Sequence, residues 1–205
     1  MLAQSRLTGN FAIRGCLDSN RWLLMIAACV LLLSGPSQAK DKSGAIVVTD
    51  GEVELGEAGW LLNAWIDIKL SKGAYKALEN GIPLVFEFQV QTLEKHPWLW
   101  DRVIAEQRQM REIQYHPLSR TFIVTNITTG KQRDFRRLEE AMQFVGILQN
   151  INVLDYAAAG EHRDYAVRLR GSLDIELLPT PIRLQAYIYN KWDMKNAWQQ
   201  WSLER

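Results

Sequence analysis

The stretch "GWLLNAWIDIKL", residues 59–70, decides how this chain folds. Trp60, Leu62, Ala64, Ile66, Ile68 and Leu70 take every second position, and Asn63, Asp67 and Lys69 fall between them. Successive side chains of a strand point to opposite faces, so the alternation predicts a β-strand with one buried and one wet face. A slip of one residue would bury the polar set, which fixes the register.

The same period recurs on either side. Ile82, Leu84, Phe86, Phe88 and Val90 alternate with Glu87, Gln89 and Gln91; Tyr165, Val167, Leu169, Leu173, Ile175 and Leu177 alternate with Arg168, Arg170, Asp174 and Glu176. Val47 to Leu55 and Thr121 to Ile127 read as further strands, the second closed by the turn chemistry of Thr128-Thr129-Gly130-Lys131. "YHPLSRTF", residues 115–122, reads as a hairpin connection with Pro117 in its turn. Ile182, Leu184, Ala186 and Ile188 predict a strand, and "WQQWSL", residues 198–203, predicts a last one bulged at Gln199 and Gln200.

Two helices interrupt this pattern. The first, about 71–80, has Ser71 as N-cap, Ala74, Tyr75 and Leu78 towards the sheet, and Gly81 as its stop. The second, about 135–149, shows Leu138, Ala141, Met142, Val145 and Leu148 at helical spacing, Asp134 as cap, and Glu139 and Glu140 towards water. Residues 99–113 fit either period, since Leu99, Val103, Met110 and Ile113 would line one helical face, but their extended neighbours favour a long twisted strand. The expectation is a mainly β, antiparallel β-sandwich-like domain over 45–205 with two short covering helices, preceded by an N-terminal signal helix.

That signal segment has its own pattern. Arg21 precedes the apolar run Trp22 to Leu33, and Ser34-Gly35-Pro36 leads to Ser37-Gln38-Ala39, with small residues where a signal peptidase inspects. The run is too short to match the roughly 20 residues of a spanning helix. Cleavage after Ala39 is the expectation, leaving 40–44 as a polar tether. Two other readings stand beside it: lipidation at Cys29 after Ile26-Ala27-Ala28, and an uncleaved N-terminal anchor in the inner membrane. Loss of 1–39 removes both cysteines, Cys16 and Cys29, and so any thiol chemistry. It also removes Arg6, Arg14 and Arg21 against Asp18, taking the formal charge from +1 to −1, which argues against a nucleic-acid partner.

Catalytic patterns are missing from the sequence. His96 and His116 precede prolines, His162 stands alone, and no nucleophile elbow or phosphate loop occurs, so no catalytic residue, cofactor or metal site is assigned. Asp50, Glu52 and Glu54 read as a solvated strand face, too divergent to wrap calcium. Asp174 and Glu176 share a face with Arg168 and Arg170 and read as cross-strand partners of these arginines.

"YHPLSRTF", "FRRLEEAM" and "LDIELLPTPIRL", in this order behind a signal peptide, resemble the exported Gram-negative family catalogued as domain of unknown function 4390, over roughly residues 45–203. The resemblance implies a β-rich periplasmic domain and brings no catalytic residue or ligand with it. Its frequent genomic neighbour, a nitrogen-regulation type sensor kinase, implies envelope sensing.

Candidate binding residues follow. Trp98 and Trp100 in "HPWLWDR", residues 96–102, project to one side of an extended segment; packing is the first expectation, and an aromatic groove shared with Trp198 and Trp201 the second. Trp192 belongs to the same C-terminal set. The groove reading requires Trp98 or Trp100 to be exposed. Lys131, Arg133, Arg136 and Arg137 surround the start of the second helix, where the dipole disfavours cations; they read as a solvated turn or as a patch for anionic lipid or an acidic partner. The functional expectation is a non-enzymatic periplasmic interaction or sensing accessory, its partner an envelope protein such as a sensor kinase's periplasmic segment. The alternative is a periplasmic carrier using the aromatic groove for an apolar or sugar-like ligand, with an unrecognised hydrolase a distant third.

Overall fold

A computed structural model describes residues 44–160, 163–189, 192 and 194–203. The signal segment with Ala39, Cys16 and Cys29, and also His162, lie outside the described residues. Among the described residues, nine strands and three helices follow in the order β1 (Ala45–Leu55), β2 (Gly59–Lys69), α1 (Lys72–Glu79), β3 (Leu84–Glu94), β4 (Arg102–His116), β5 (Thr121–Asn126), β6 (Gln132–Phe135), α2 (Leu138–Val145), β7 (Ile147–Asp155), β8 (Tyr165–Asp174), α3 (Thr180–Tyr189) and β9 (Gln199–Leu203). The strands form two antiparallel sheets, one ordered β1-β2-β7 and the other β6-β5-β4-β3-β8-β9.

The alternation in β2 does what its pattern requires at its apolar positions, but Asn63, expected on the wet face with Asp67 and Lys69, is buried, its amide donating to Glu54 at 2.7 Å and accepting the Asn150 N–H at 2.9 Å. Trp60, Leu62, Ala64, Ile66 and Ile68 are buried and meet Phe86, Phe88 and Val90 of β3 and Val167 and Leu169 of β8 in one core between the sheets. Each fully buried Leu, Ile, Val or Phe among them contributes about 1.5 to 3 kcal/mol of gross hydrophobic stabilisation. The long strand expected over 99–113 is β4, starting at Arg102. Trp201 reaches across from β9: a Cβ placed on Gly51 of β1 would lie 2.3 Å from its ring, so the bare glycine is what lets the indole close that side of the sandwich.

Several local expectations are corrected. Ile182 to Ile188 belong to α3, not to a strand: Pro181 sits in its first turn, where a fixed φ and a missing N–H suit a helix, and Ile182 and Ala186 turn inward at i, i+4. The second helix is only α2; Asp134 lies in β6 opposite Ile123, Arg137 stands at the N-cap without a side-chain bond, and Leu148 is buried from β7. In the first helix, Ser71 Oγ caps the Ala74 N–H at 3.2 Å as expected, but Ala77, not Tyr75, turns inward; Tyr75 is exposed. Gln199 and Gln200 pair regularly with Leu169 and Arg168, with no bulge. β8 ends at Asp174, leaving Ile175 and Leu177 outside it.

Candidate functional site

The two ends of β2 differ. At its C-terminal end, pairing with β7 stops at Trp65 opposite Ile147, after which the Ile66 N–H donates to the Gly146 carbonyl at 2.9 Å, while pairing with β1 continues to Lys69. Among the described residues no strand pairs with the last residues of β2 on the side away from β1, which makes them an open edge there. α2 runs past this edge and the start of α1 closes the end. Between them lies a cleft of about 860 Å³, with Ile66 and Ile68 along the strand, Trp65, Leu138 and Met142 around them, and Tyr75 at the mouth. Its rim carries both signs, Asp67 and Glu139 against Lys69 and Lys72.

The α2 wall is held from behind. Arg111, buried on the inner face of β4, donates through Nη1 to the Phe144 carbonyl at 2.7 Å, placing a cation at the helix's C-terminal end, and its guanidinium stands 5.5 Å from the Phe144 ring. Burial pulls the pKa of Arg111 down, and among the described residues its Nε has no hydrogen-bond partner.

At the other end of the sandwich the β3–β4 ladder stops at Glu94 opposite Arg102, and residues 95–101 stand beyond it. Trp98 is 94% and Trp100 91% exposed, with Leu99 between them at 72%. The expectation that these rings pack is thus corrected: no sheet reaches them, because the strands pair only to the base of the loop. That base is firm. The buried Glu94 carboxylate accepts from the Arg102 guanidinium and from Arg163 Nη1 at 2.6 Å, and the Lys95 N–H donates to the Asp164 carbonyl at 2.8 Å. The hydrogen bond from Arg102 is the main cause that holds the Glu94 pKa below the usual carboxylate range, against its desolvation.

The four candidate tryptophans are not brought into one groove. Trp198 lies on the outer face of the larger sheet with the guanidiniums of Arg168 and Arg170 at 4.5 and 4.6 Å from its ring, and Trp201 is half-buried against β1. Trp192 is buried, its Nε1 3.0 Å from where a Cβ on Gly73 would sit. The cross-strand pairing expected of Arg168 and Arg170 goes elsewhere: they donate to Gln91 and Gln89, and the same two glutamines donate at 2.7 Å to Glu106, lowering its pKa. Asp174 accepts the Glu176 N–H.

Arg136 and Arg137 are exposed, and Arg137 makes only long contacts of 3.8 Å with Glu139 and Glu140, as a solvated turn would. Arg133 stacks on Phe144 at 5.0 Å. The His116 ring contacts Gln114 at 3.3 Å, and its carbonyl accepts from Ser119 Oγ at 3.5 Å. Among the described residues no three His, Cys, Asp or Glu side chains gather as metal ligands, and Glu54 instead accepts from Asn63 at 2.7 Å. The cleft itself escaped sequence reasoning. Its signal was Trp65, an indole on the face that also carries Asn63, Asp67 and Lys69.

Two antiparallel sheets around a single core, with an apolar cleft at one end, make this a mainly β, β-sandwich-like domain. The chain belongs to the family described as Domain of unknown function (DUF4390), whose model matches residues 43–202. No curated protein and no solved structure matches it.

Proposed function

We propose that the domain is a non-enzymatic interaction module of the periplasm, exported behind residues 1–39, which receives an extended apolar segment of a partner protein in the cleft between β2 and α2. The observation that carries this reading is the coincidence of an apolar cavity with an open edge of β2. An incoming strand gains main-chain hydrogen bonds from such an edge whatever its sequence, and its alternate side chains select through the pocket beneath. Rim charges of both signs set its direction. The periplasmic segment of a sensor kinase is the first partner to test, on the strength of the family resemblance.

A photo-crosslinking residue in place of Tyr75, which stands exposed at the mouth, tests it in cells. The expected result is a discrete protein adduct at Tyr75, none at the fully exposed Leu118 outside the cleft lining, and loss of the adduct on Leu138→Asp. Equal labelling at the two positions would sink the reading. A second reading, a carrier for a small apolar ligand, draws on the cavity's size, which lies within the roughly 300 to 1,000 Å³ of ligand pockets. Native mass spectrometry showing a stoichiometric small molecule, with no protein adduct, would favour it.

A further inference from the structure

Residues 95–101 present a second surface, at the opposite end of β2 from the cleft. Glu94 and Arg102 at the loop's base line a recess of about 490 Å³ with Asp155 and Ala158, and Asp155 is the partner of Gly59, where β2 begins. The same end carries two more exposed apolar side chains: Leu55, at the end of β1, and Tyr156, whose hydroxyl donates to the Gly56 carbonyl at 2.8 Å and whose ring packs edge-on against Trp60. We infer that the Trp98-Leu99-Trp100 tip docks this domain onto the interfacial region of a phospholipid bilayer.

Four observations support that occupant over a protein surface. An exposed indole has an apolar body and an N–H donor, the combination that partitions to the headgroup level of a membrane. Pro97, in the same tip, has no backbone N–H to desolvate. The area is also small. Two indoles exposed above nine-tenths and one leucine offer on the order of 500 Å², taking about 200 Å² for each aromatic; a stable protein interface needs about 800 Å² on each partner. A bilayer has no such threshold of shape or area, so a narrow convex tip suits it. Finally, the Glu94 clamp with Arg102 and Arg163 fixes the base, which lowers the entropy lost when the tip is immobilised.

Charge separates this mode from lipid binding by a basic patch. The described charged groups around the tip give no basic excess, Lys95, Arg102 and Arg163 standing against Glu94, Asp101, Asp155 and Asp164. Docking therefore rests on ring partition and depends little on salt or on anionic lipid, unlike a polybasic contact.

The experiment uses the full-length chain and neutral phosphatidylcholine vesicles with brominated acyl chains, read by tryptophan fluorescence. Wild type is compared with Trp98→Ser/Trp100→Ser, whose replaced rings touch none of the core; unchanged thermal unfolding checks the fold. The difference isolates the tip from Trp22 and from the apolar run of residues 22–33. Wild type is expected to lose a further share of emission, at most that of two of its eight tryptophans, and the extra loss should persist in high salt. Equal quenching of the two proteins overturns the inference, as does an extra loss that vanishes in high salt. A wild-type dimer that the double variant abolishes, with no extra quenching, assigns the tip to a second copy of the chain and overturns it too. Tyr75→Glu, in the cleft, should leave the quenching difference intact, so failure of either proposal is seen separately.

Discussion

The two ends of β2 put similar side chains to opposite uses. At the Lys69 end Trp65 and Ile68 help enclose a concave cleft, because β7 leaves the strand early and α2 takes its place without covering the edge. At the Gly59 end the neighbouring β3–β4 hairpin carries its tryptophans past the last strand pair, where both stand more than nine-tenths exposed. Aromatic residues thus serve as cleft lining or as a protruding tip according to where the hydrogen-bonded ladders stop. The lesson is that ladder length, more than residue type, decides what an indole does here.

Both ends share one floor, so the most damaging change should abolish the contrast. Phe88→Ala removes a side chain with no exposed surface and is expected to cost about 3 to 5 kcal/mol, measured by denaturant unfolding, with both the Tyr75 adduct and the vesicle quenching lost at temperatures where the variant unfolds. An unchanged unfolding midpoint would show that the core is not shared.

Gly146→Val should break one end alone. A Cβ there would lie 2.0 Å from the Ile66 carbonyl, at the junction where α2 meets β2. The forced shift should cost about 1 to 3 kcal/mol and suppress crosslinking at Tyr75 while the tip's quenching persists.

Glu94→Gln probes the other end more gently, since the Arg102 and Arg163 side chains are more than half exposed and solvent screens them. The Glu94 pKa is depressed in the folded protein, so the clamp's contribution is fully present above the unfolded carboxylate value of about 4.3 and fades as pH falls through the lower folded value. The gap in melting temperature between wild type and variant should therefore be constant near neutrality and close only in acid. A gap that closes between pH 6 and 8 would assign the effect to another group. Smallest of all, Trp98→Ser/Trp100→Ser should leave stability within about 0.5 kcal/mol, because exposed rings contribute no packing.

Much of the fold was legible where one face is dry and the other wet. Ile66 to Lys69 of β2, Phe86 to Val90 of β3 and Val167 to Asp174 of β8 alternate in burial because there only one face is covered by the opposing sheet. β7 does not: its pairing with β2 is interrupted twice, and Asn150 takes a positive φ of 54°, so the alternation breaks and the helical spacing of α2 runs on through Leu148. α3 misled in the other direction. Ile182, Leu184, Ala186 and Ile188 alternate, yet Leu184 is exposed and Ala186 buried, a pattern only the 3.6-residue period explains once Pro181 starts the turn. As for the sites, Trp98 and Trp100 stood out as residues, but their exposure did not, and the cleft was not legible because Trp65, Tyr75 and Leu138 lie far apart in the chain.

By itself the sequence determined which apolar side chains the regular strands turn into the core, because hydrophobic alternation is local and a shift of one residue reverses it. Only the tertiary structure decided that β7 pairs beside β2, that it stops short of Lys69, and that the β3–β4 ladder ends at Glu94. These are contests between backbone pairings distant in the chain, settled by which sheet closes the core, and they leave one set of apolar side chains in a cleft and another held out from the fold.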